Sequence, residues 1–128
     1  MEKKNNMRIS YAITVCNEFI EIQRLIDFLL KNKRPEDEIV VLYDINNGHE
    51  GIEQFLRAKS INGEFAWIPG EFNGHFADWK NKLTTFCSGD WIFQIDADEI
   101  PHKNLIEFLP EIILSNPENE VIRVPRVN

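Results

Sequence analysis

The stretch Trp91-Ile92-Phe93-Gln94-Ile95-Asp96-Ala97-Asp98-Glu99 joins a short apolar run directly to three carboxylates. Its first five residues are rich in aromatic and β-branched side chains, which predicts a buried strand over 91–95. The acidic residues come where such a strand would end, so we expect them at the carboxyl edge of a sheet. In open α/β sheets this edge is where ligands bind.

The rest of the chain repeats the same alternation of apolar runs and helical periodicity. Further strands are predicted over 9–15, 38–43, 65–68 and 121–124, with helices between them. Strands that are apolar throughout and alternate with helices indicate a mostly parallel sheet covered by helices on both faces. We therefore predict a single Rossmann-like α/β domain over residues 1–128. The strand at Ile9–Val15 should be central, and the strand at Ile92–Ile95 should lie parallel beside it.

Local signals predict where several of these elements begin and end. Asn17 is a good N-cap for the first helix, and Pro35 forbids its continuation. The pair Pro69-Gly70 is expected to close the third strand. In the last helical stretch, Pro110 is expected to kink or split the helix. The helix over 75–87 should bury one face made of four large apolar residues, Phe76, Trp79, Leu83 and Phe86.

The composition excludes several classes of protein. The net charge of −7 over 128 residues argues against a nucleic-acid partner, because phosphate backbones are bound through clustered Lys and Arg. No stretch approaches the roughly 20 apolar residues that span a bilayer. Cys16 and Cys87 are too few for a disulfide scaffold and lie among apolar residues. Buried, reduced thiols and a cytoplasmic location are therefore expected.

Asp96 and Asp98 are separated by one small residue, so a turn of the backbone can aim both carboxylates at one cation. Mg²⁺ and Mn²⁺ prefer oxygen ligands and usually bind through one or two carboxylates together with substrate phosphates. A cation here would also stabilise the charge on a departing nucleoside diphosphate. In isolation, an Asp-x-Asp pair is more often a solvated turn. The apolar strand before it favours a site.

Asp44 and Lys80 are the next candidates. Asp44 ends the second strand, where a carboxylate can accept a hydrogen bond from a pyrimidine N–H or a ribose hydroxyl. Its alternative role is an Asx turn that closes the strand. Lys80 lies on the helix before the Trp91 strand and can meet a phosphate or a base. A solvated helix face is the alternative for this lysine.

Taken in order, four segments resemble the motifs of the family 2 glycosyltransferases, which have the GT-A fold. Thr14-Val15-Cys16-Asn17-Glu18 is similar to the first-strand motif, and the strand that ends at Asp44 is similar to the base-contacting second strand. Residues 76–81, Phe-Ala-Asp-Trp-Lys-Asn, resemble the helix that carries a basic residue and Asn. Residues 88–99 closely resemble the diphosphate and metal motif. Their Asp-Ala-Asp-Glu ending resembles the branch that includes lipopolysaccharide-core sugar transferases.

The resemblance implies a nucleotide-diphospho-sugar donor, usually a UDP-sugar, and inverting transfer of the sugar to an acceptor hydroxyl with Mn²⁺ or Mg²⁺. It implies metal contacts from Asp98 directly and from Asp96 through water, or a ribose contact from Asp96. It also implies that seven residues contact or border the nucleotide: Thr14, Cys16, Asn17, Glu18, Asp44, Lys80 and Asp96.

The chain departs from the family's pattern in two places. After Asp44 it reads Ile-Asn-Asn-Gly over 45–48, where the family usually has Gly-Ser-Thr-Asp. It also ends at Asn128, before the point where the acceptor-binding half and its catalytic base would follow. We therefore expect one nucleotide-sugar-binding domain, truncated after its last strand. Glu99 is the one nearby carboxylate to consider as a base, and a supporting or sugar contact is its alternative role.

Three functions stay open on this reasoning. The first is a glycosyltransferase, active alone or in a larger assembly. The second is a non-catalytic or truncated module that binds the nucleotide sugar. The third is a nucleotidyltransferase or phosphohydrolase, although a nucleotidyltransferase would be expected to have a Gly-rich basic loop where Asn17 and Glu18 stand. A last strand over 121–124 that runs into Pro125 and Arg126 without a covering element would favour a homo-oligomer or further chain.

Overall fold

The computed structural model describes residues 8–101, 103–115 and 121–123. Strands and helices alternate along this part of the chain. The strands are β1 (Ile9–Val15), β2 (Glu38–Asp44), β3 (Ala66–Gly70), β4 (Trp91–Asp96) and β5 (Val121–Arg123). The α-helices are α1 (Phe19–Asn32), α2 (Glu50–Lys59), α3 (Phe76–Thr85) and α4 (Lys103–Ser115), and a 3-10 turn at Ser60–Asn62 follows α2.

The described strands form one parallel sheet in the order β3-β2-β1-β4-β5. The prediction of a parallel sheet with Ile9–Val15 central and the Ile92–Ile95 strand beside it is confirmed. The chain proceeds from β1 to β2 and β3 on one side, and then crosses to β4 on the other side of β1. The strand order therefore reverses between β1 and β4, and a crevice opens at such a switch point.

Alternate side chains of β1 point to opposite faces of the sheet, and both faces are covered. Tyr11 and Ile13 belong to a large core that includes residues of α1, α2 and α4. Ala12 belongs to a smaller core under α3, together with Trp79 and Leu83. Helices therefore lie on both faces of the sheet, as predicted.

Helix α1 shows how the sequence produces this packing. Its buried residues recur at helical spacing, and each contributes roughly 1.5–3 kcal/mol by leaving water. The buried set is Ile22, Leu25, Ile26 and Leu29. The prediction that Asn17 caps this helix was wrong, because the N-cap is Glu18 and no side chain bonds the helix start there. Asn17 contributes its backbone carbonyl, which accepts the Phe19 N–H at 2.9 Å.

Strand β3 extends over Pro69 and Gly70, which were expected to end it. The proline fits because β3 pairs only with β2 among the described strands and is an edge strand, where a missing N–H is tolerated. Strand β4 is also longer than predicted and includes Asp96.

Helix α3 buries only the middle of its predicted apolar face. Trp79 and Leu83 are buried, whereas Phe76 is 71% exposed and Phe86 is 43% exposed. Phe76 is the first residue of the helix and Phe86 is its C-cap, so the two rings lie at its ends. The expectation of four buried residues was therefore wrong for these two.

Helix α4 runs unbroken with Pro110 inside it, so the predicted split does not occur. Ile106 and Leu109, in the turn that leads to the proline, are buried in the large core, and this packing stabilises the helix despite the lost N–H. Among the described residues, no helix is both long and apolar enough to cross a membrane. The predicted strand end at Val124 and the uncovered edge over 124–126 lie outside the described residues.

Candidate functional site

A cavity of about 460 Å³ opens at the carboxyl ends of β1, β2 and β4. It lies at the switch point, where the strand order reverses. Its lining residues come from these strand ends, from the loop after β3 and from α3. They are Thr14, Val15, Cys16, Glu18, Asp44, Asn47, Phe72, Phe76, Trp79, Lys80, Asp96, Ala97 and Asp98.

Asp96 is held in place by its neighbours. Its Oδ1 accepts a hydrogen bond from the Thr14 hydroxyl at 3.1 Å and an ion pair from Lys80 Nζ at 2.5 Å. Thr14 is its partner in the β1–β4 register, so the parallel pairing itself brings the two side chains together. Lys80 reaches the same oxygen from α3. The structure thus joins two predicted site residues that are 16 positions apart in the sequence.

The turn after β4 is closed by Glu99. The Asp96 N–H donates to Glu99 Oε1 at 2.9 Å, and the Glu99 N–H donates to the Asp96 carbonyl at 2.9 Å. The Ala97 N–H donates to the Thr14 carbonyl at 3.1 Å, which extends the pairing with β1 past the strand. These contacts fix the backbone that carries Asp96 and Asp98.

Asp98 is exposed at the cavity, in contrast to the partly buried Asp96. Within the described ranges, no three His, Cys, Asp or Glu side chains are grouped so that they could hold a metal by themselves. Two carboxylates on one turn nevertheless fit the way Mg²⁺ and Mn²⁺ bind, because these ions take one or two protein carboxylates and complete their shell with water and substrate phosphates. The residues present fit such a shared ion and not a closed protein site.

Asp44 is buried and has the contacts of an Asx turn. Its Oδ1 accepts the Asn46 N–H at 3.1 Å, and its Oδ2 accepts Asn47 Nδ2 at 3.0 Å. The alternative role for this residue is therefore present in the structure. Asp44 also lines the cavity, so its role in the turn leaves it at the site.

The first-strand motif contributes unequally to the cavity. Cys16 donates its N–H to Glu18 Oε1 at 2.8 Å and its thiol to the Asn47 carbonyl at 3.1 Å. Burial raises the pKa of the Cys16 thiol, and the Asp44 and Glu18 carboxylates raise it further. Both cysteines are free and half-buried, which corrects the expectation of fully buried thiols. Glu18 lines the cavity, whereas Asn17 and Glu99 are not among its lining residues.

Sequence reasoning missed the aromatic wall of the cavity. Phe72 lies 4.9 Å from Phe76 and 5.6 Å from Trp79, measured between ring centroids. The helical spacing of Phe76 and Trp79 was interpreted as a core face, although Phe76 begins the helix at the carboxyl edge. Asn47 was also missed, because its role depends on the Asp44 turn.

The charges of the cavity are unbalanced. Four of its described lining residues are acidic, Glu18, Asp44, Asp96 and Asp98, and one is basic, Lys80. An anionic ligand would be repelled unless a cation accompanied it, because like charges in a partly buried site are weakly screened.

Comparisons with known proteins identify the family and the fold of this chain. The family model described as "Glycosyl transferase family 2" matches residues 10–127. Crystal structures of S. aureus TarS residues 1–349, alone and in complex with UDP, each match at 22% identity and a TM-score of 0.72, covering 87% of this chain and 33% of that chain. A crystal structure of S. aureus TarS matches at 22% identity and a TM-score of 0.70, covering 85% of this chain and 20% of the other.

At 22% identity these likenesses concern the fold, which is the Rossmann-like GT-A fold. The chain spans about a third or less of the length of the TarS chains that it matches. No curated protein matches it.

Proposed function

Because this chain belongs to glycosyl transferase family 2, we propose that it forms the nucleotide-sugar-binding part of a metal-dependent glycosyltransferase. One observation carries the proposal. Asp96 ends β4 and Asp98 follows it at the switch point of the sheet, in the same cavity as Asp44. This arrangement offers carboxylates for a metal-bound diphosphate at one side and for a base at the other.

We propose that the donor is a nucleoside-diphospho-sugar, with UDP-sugars favoured. Asp44 would accept a hydrogen bond from the base or ribose, and Thr14 and Cys16 would border the base. Asp98 is proposed as the direct ligand of Mn²⁺ or Mg²⁺. Asp96 would contact the metal through water or bind the ribose, since its Oδ1 already has Thr14 and Lys80 as partners. The metal would offset the charge that develops on the leaving diphosphate.

The proposed reaction is inverting transfer to an acceptor hydroxyl. The acceptor oxygen attacks the anomeric carbon, the bond to the diphosphate breaks, and a base takes the hydroxyl proton. Glu99 is a poor base, because its Oε1 accepts the Asp96 N–H and closes the β4 turn. We assign Glu99 to positioning this turn.

The second candidate is a module that binds the donor without transferring it. It is favoured by the cavity itself, where every described carboxylate is assigned to the donor or to a turn. Positioning of the acceptor can supply up to roughly 7–11 kcal/mol of the barrier reduction. A general base raises the reaction rate by about another 10²–10⁴-fold. We therefore expect the isolated 128 residues to bind donor and to transfer sugar far more slowly than roughly 1 s⁻¹.

The two free cysteines support a reducing, cytoplasmic compartment.

Calorimetry with UDP separates the proposal from its alternatives. The wild-type chain should bind UDP with Mn²⁺ or Mg²⁺ and lose most of that affinity when a chelator is present. For substitution of Asp98, the matched control is Asp27→Asn, which removes an exposed carboxylate of α1 that lies outside the cavity. This variant should bind as the wild type does. Equal UDP affinity with and without chelator would show that Asp96 and Asp98 are not a metal site.

A further inference from the structure

The aromatic wall of the cavity, Phe72, Phe76 and Trp79, has no role in the donor contacts described above. Phe72 touches both other rings, and Trp79 is anchored in the core under α3. Phe76 is 71% exposed although it is a large apolar side chain on a cavity wall. A ring that is fixed by a neighbour and left open on its other side is suited to stack a planar ligand.

The aromatic wall lies at one end of the cavity. Phe72 follows β3 by two residues, and β3 pairs only with β2 among the described strands. Gly70 pairs with Asp44, and a Cβ on this glycine would lie 3.2 Å from the Trp79 ring. The absence of a side chain at Gly70 thus lets the indole lie against the end of β3. The wall therefore stands on the Asp44 side.

Asp98 lies at the opposite side of the cavity. It follows β4, which is separated from β2 by β1 in the sheet. Neighbouring strands are about 4.8 Å apart, so the ends of β2 and β4 are roughly 10 Å from each other. A ligand that spans the cavity would meet aromatic rings and one carboxylate at one end, and acidic metal ligands at the other.

We infer that Phe76, supported by Phe72 and Trp79, stacks on the base of the bound nucleotide and selects ligands that carry one. The inference rests on the proposed function and extends it to the base. A nucleobase combines a flat π-face with an edge of N–H donors, which matches an aromatic wall on the same side of the cavity as the Asp44 carboxylate. The diphosphate fits the metal end, and the transferred sugar lies beyond the diphosphate, away from Phe76.

Stacking on an aromatic side chain is worth about fivefold to 150-fold in affinity for a base. Phe76 keeps part of its ring in water, so we expect an effect near the middle of this range, about tenfold. Phe76→Leu should remove it, because leucine keeps apolar volume without a ring. Phe76→Trp should retain it. Since Phe76 is exposed, neither substitution should change the free energy of unfolding.

The test compares a ligand with a base and one without, by calorimetry in Mn²⁺. UDP and inorganic pyrophosphate are titrated into the wild type, Phe76→Leu, Phe76→Trp and the control Phe86→Leu, which alters an exposed ring at the far end of α3. Phe76→Leu should weaken UDP binding about tenfold and leave pyrophosphate binding unchanged. Phe76→Trp and Phe86→Leu should bind both ligands as the wild type does.

The outcomes separate this inference from the proposed function. A wild-type chain that binds neither ligand would refute both. A wild type that binds UDP, together with a Phe76→Leu variant that binds UDP equally well, would overturn the stacking role alone. Equal weakening of UDP and pyrophosphate by Phe76→Leu would also overturn it, because the effect would then not come from the base.

Discussion

The two ends of the sheet use the same kinds of residue for different purposes. At the amino end, Glu38 accepts hydrogen bonds from the Ser10 hydroxyl and from the N–H and hydroxyl of Ser88. Asp37 accepts the Ile9 N–H at 2.9 Å and a two-pronged ion pair from Arg34. At the carboxyl end, Asp98 is exposed at a cavity where acids outnumber bases.

The two ends differ in how fully the chain itself supplies hydrogen-bond and ion-pair partners to the carboxylates. At the amino end the chain itself provides donors for each carboxylate, and Ser10 and Asp37 are buried. Buried polar groups that are satisfied in this way stabilise one arrangement of the fold. At the carboxyl end the chain also supplies donors to Asp44 and Asp96, whereas a cation and a ligand would complete the contacts of the exposed Asp98. Substitutions of the carboxylates at the amino end should therefore affect stability, and substitution of Asp98 should affect binding.

The largest expected effect is on stability, from Asp37→Ala. This change leaves the Ile9 N–H without its acceptor and Arg34 without its bidentate partner. Loss of one partner from such a buried arrangement should lower the free energy of unfolding by about 3 kcal/mol, measured by urea denaturation. Glu36→Ala is the control. Its carboxylate lies 3.5 Å from the same arginine but is 43% exposed, and the loss should stay below about 1 kcal/mol. Similar losses in both variants would contradict the comparison.

The next effect is on binding, from Asp98→Asn. In the presence of Mn²⁺ or Mg²⁺, the variant should bind UDP at least roughly tenfold more weakly than the wild type. Even groups that only support a metal ligand contribute about 10- to 100-fold to metal affinity. Its free energy of unfolding should not change, since the side chain is exposed. Glu99→Gln should leave binding nearly intact, because an amide oxygen can still accept the Asp96 N–H. A destabilised Asp98→Asn chain would break the division between the two ends.

A smaller effect is expected from acid at the amino end. Burial alone would raise the pKa of Glu38, but hydrogen bonds from Ser10 and Ser88 and the nearby Arg8 guanidinium hold it below the ordinary value of 4.5. The folded chain therefore binds fewer protons here than the unfolded chain. This contribution to stability is present above pH 4.5 and is lost as pH falls through the lowered pKa.

Glu38→Gln should accordingly flatten the acid dependence of stability. The measurement is the urea midpoint of wild type and variant at neutral pH and on either side of pH 4 to 5. The difference between the two proteins should shrink as the solution becomes more acidic. A constant difference would show that ionisation of Glu38 contributes nothing.

The smallest expected effect is on the reactivity of the two thiols. Each end of the sheet has one cysteine, so the two ends can be compared directly. Burial raises the pKa of Cys87 to about 11, and the pKa of Cys16 at the cavity is raised as well. Both should react slowly with iodoacetamide at neutral pH, since the thiolate is the nucleophile. UDP with Mn²⁺ should slow alkylation of Cys16 severalfold and leave Cys87 unaffected, as measured by peptide mass mapping. Equal protection of both would indicate a general tightening of the fold.

The sequence predicted the scaffold better than the contacts across it. Apolar runs such as Ile9–Val15 specify strands locally, and a strand that leads into Asp96 and Asp98 places these carboxylates at the sheet edge. The ion pair between Lys80 and Asp96 depends on how α3 crosses the sheet, which no local pattern encodes. Contacts at the amino end are equally remote in sequence. Arg8, for example, bonds Ser88 and Asp90.

The aromatic wall was missed for a different reason. Helical spacing of apolar residues predicts which face of a helix leaves water, but not whether protein or ligand covers it. Trp79 is covered by protein and Phe76 is open to the cavity, although both fit the same periodic pattern. The place of Phe76 at the first turn of a helix after a strand was the signal that could have separated them.

The proline of β3 affects how copies of this molecule behave at high concentration. Gly70 turns its carbonyl toward β2, where it accepts the Ile45 N–H at 2.9 Å. The backbone N–H and C=O groups of successive strand residues point to opposite edges of the strand. The backbone of Pro69 therefore points away from β2, toward the open edge, and proline has no N–H to donate there. A foreign strand that docked along β3 would lose a hydrogen bond there and meet the pyrrolidine ring. This edge of the sheet therefore resists pairing with a strand of a second copy, which an edge strand without a proline would permit.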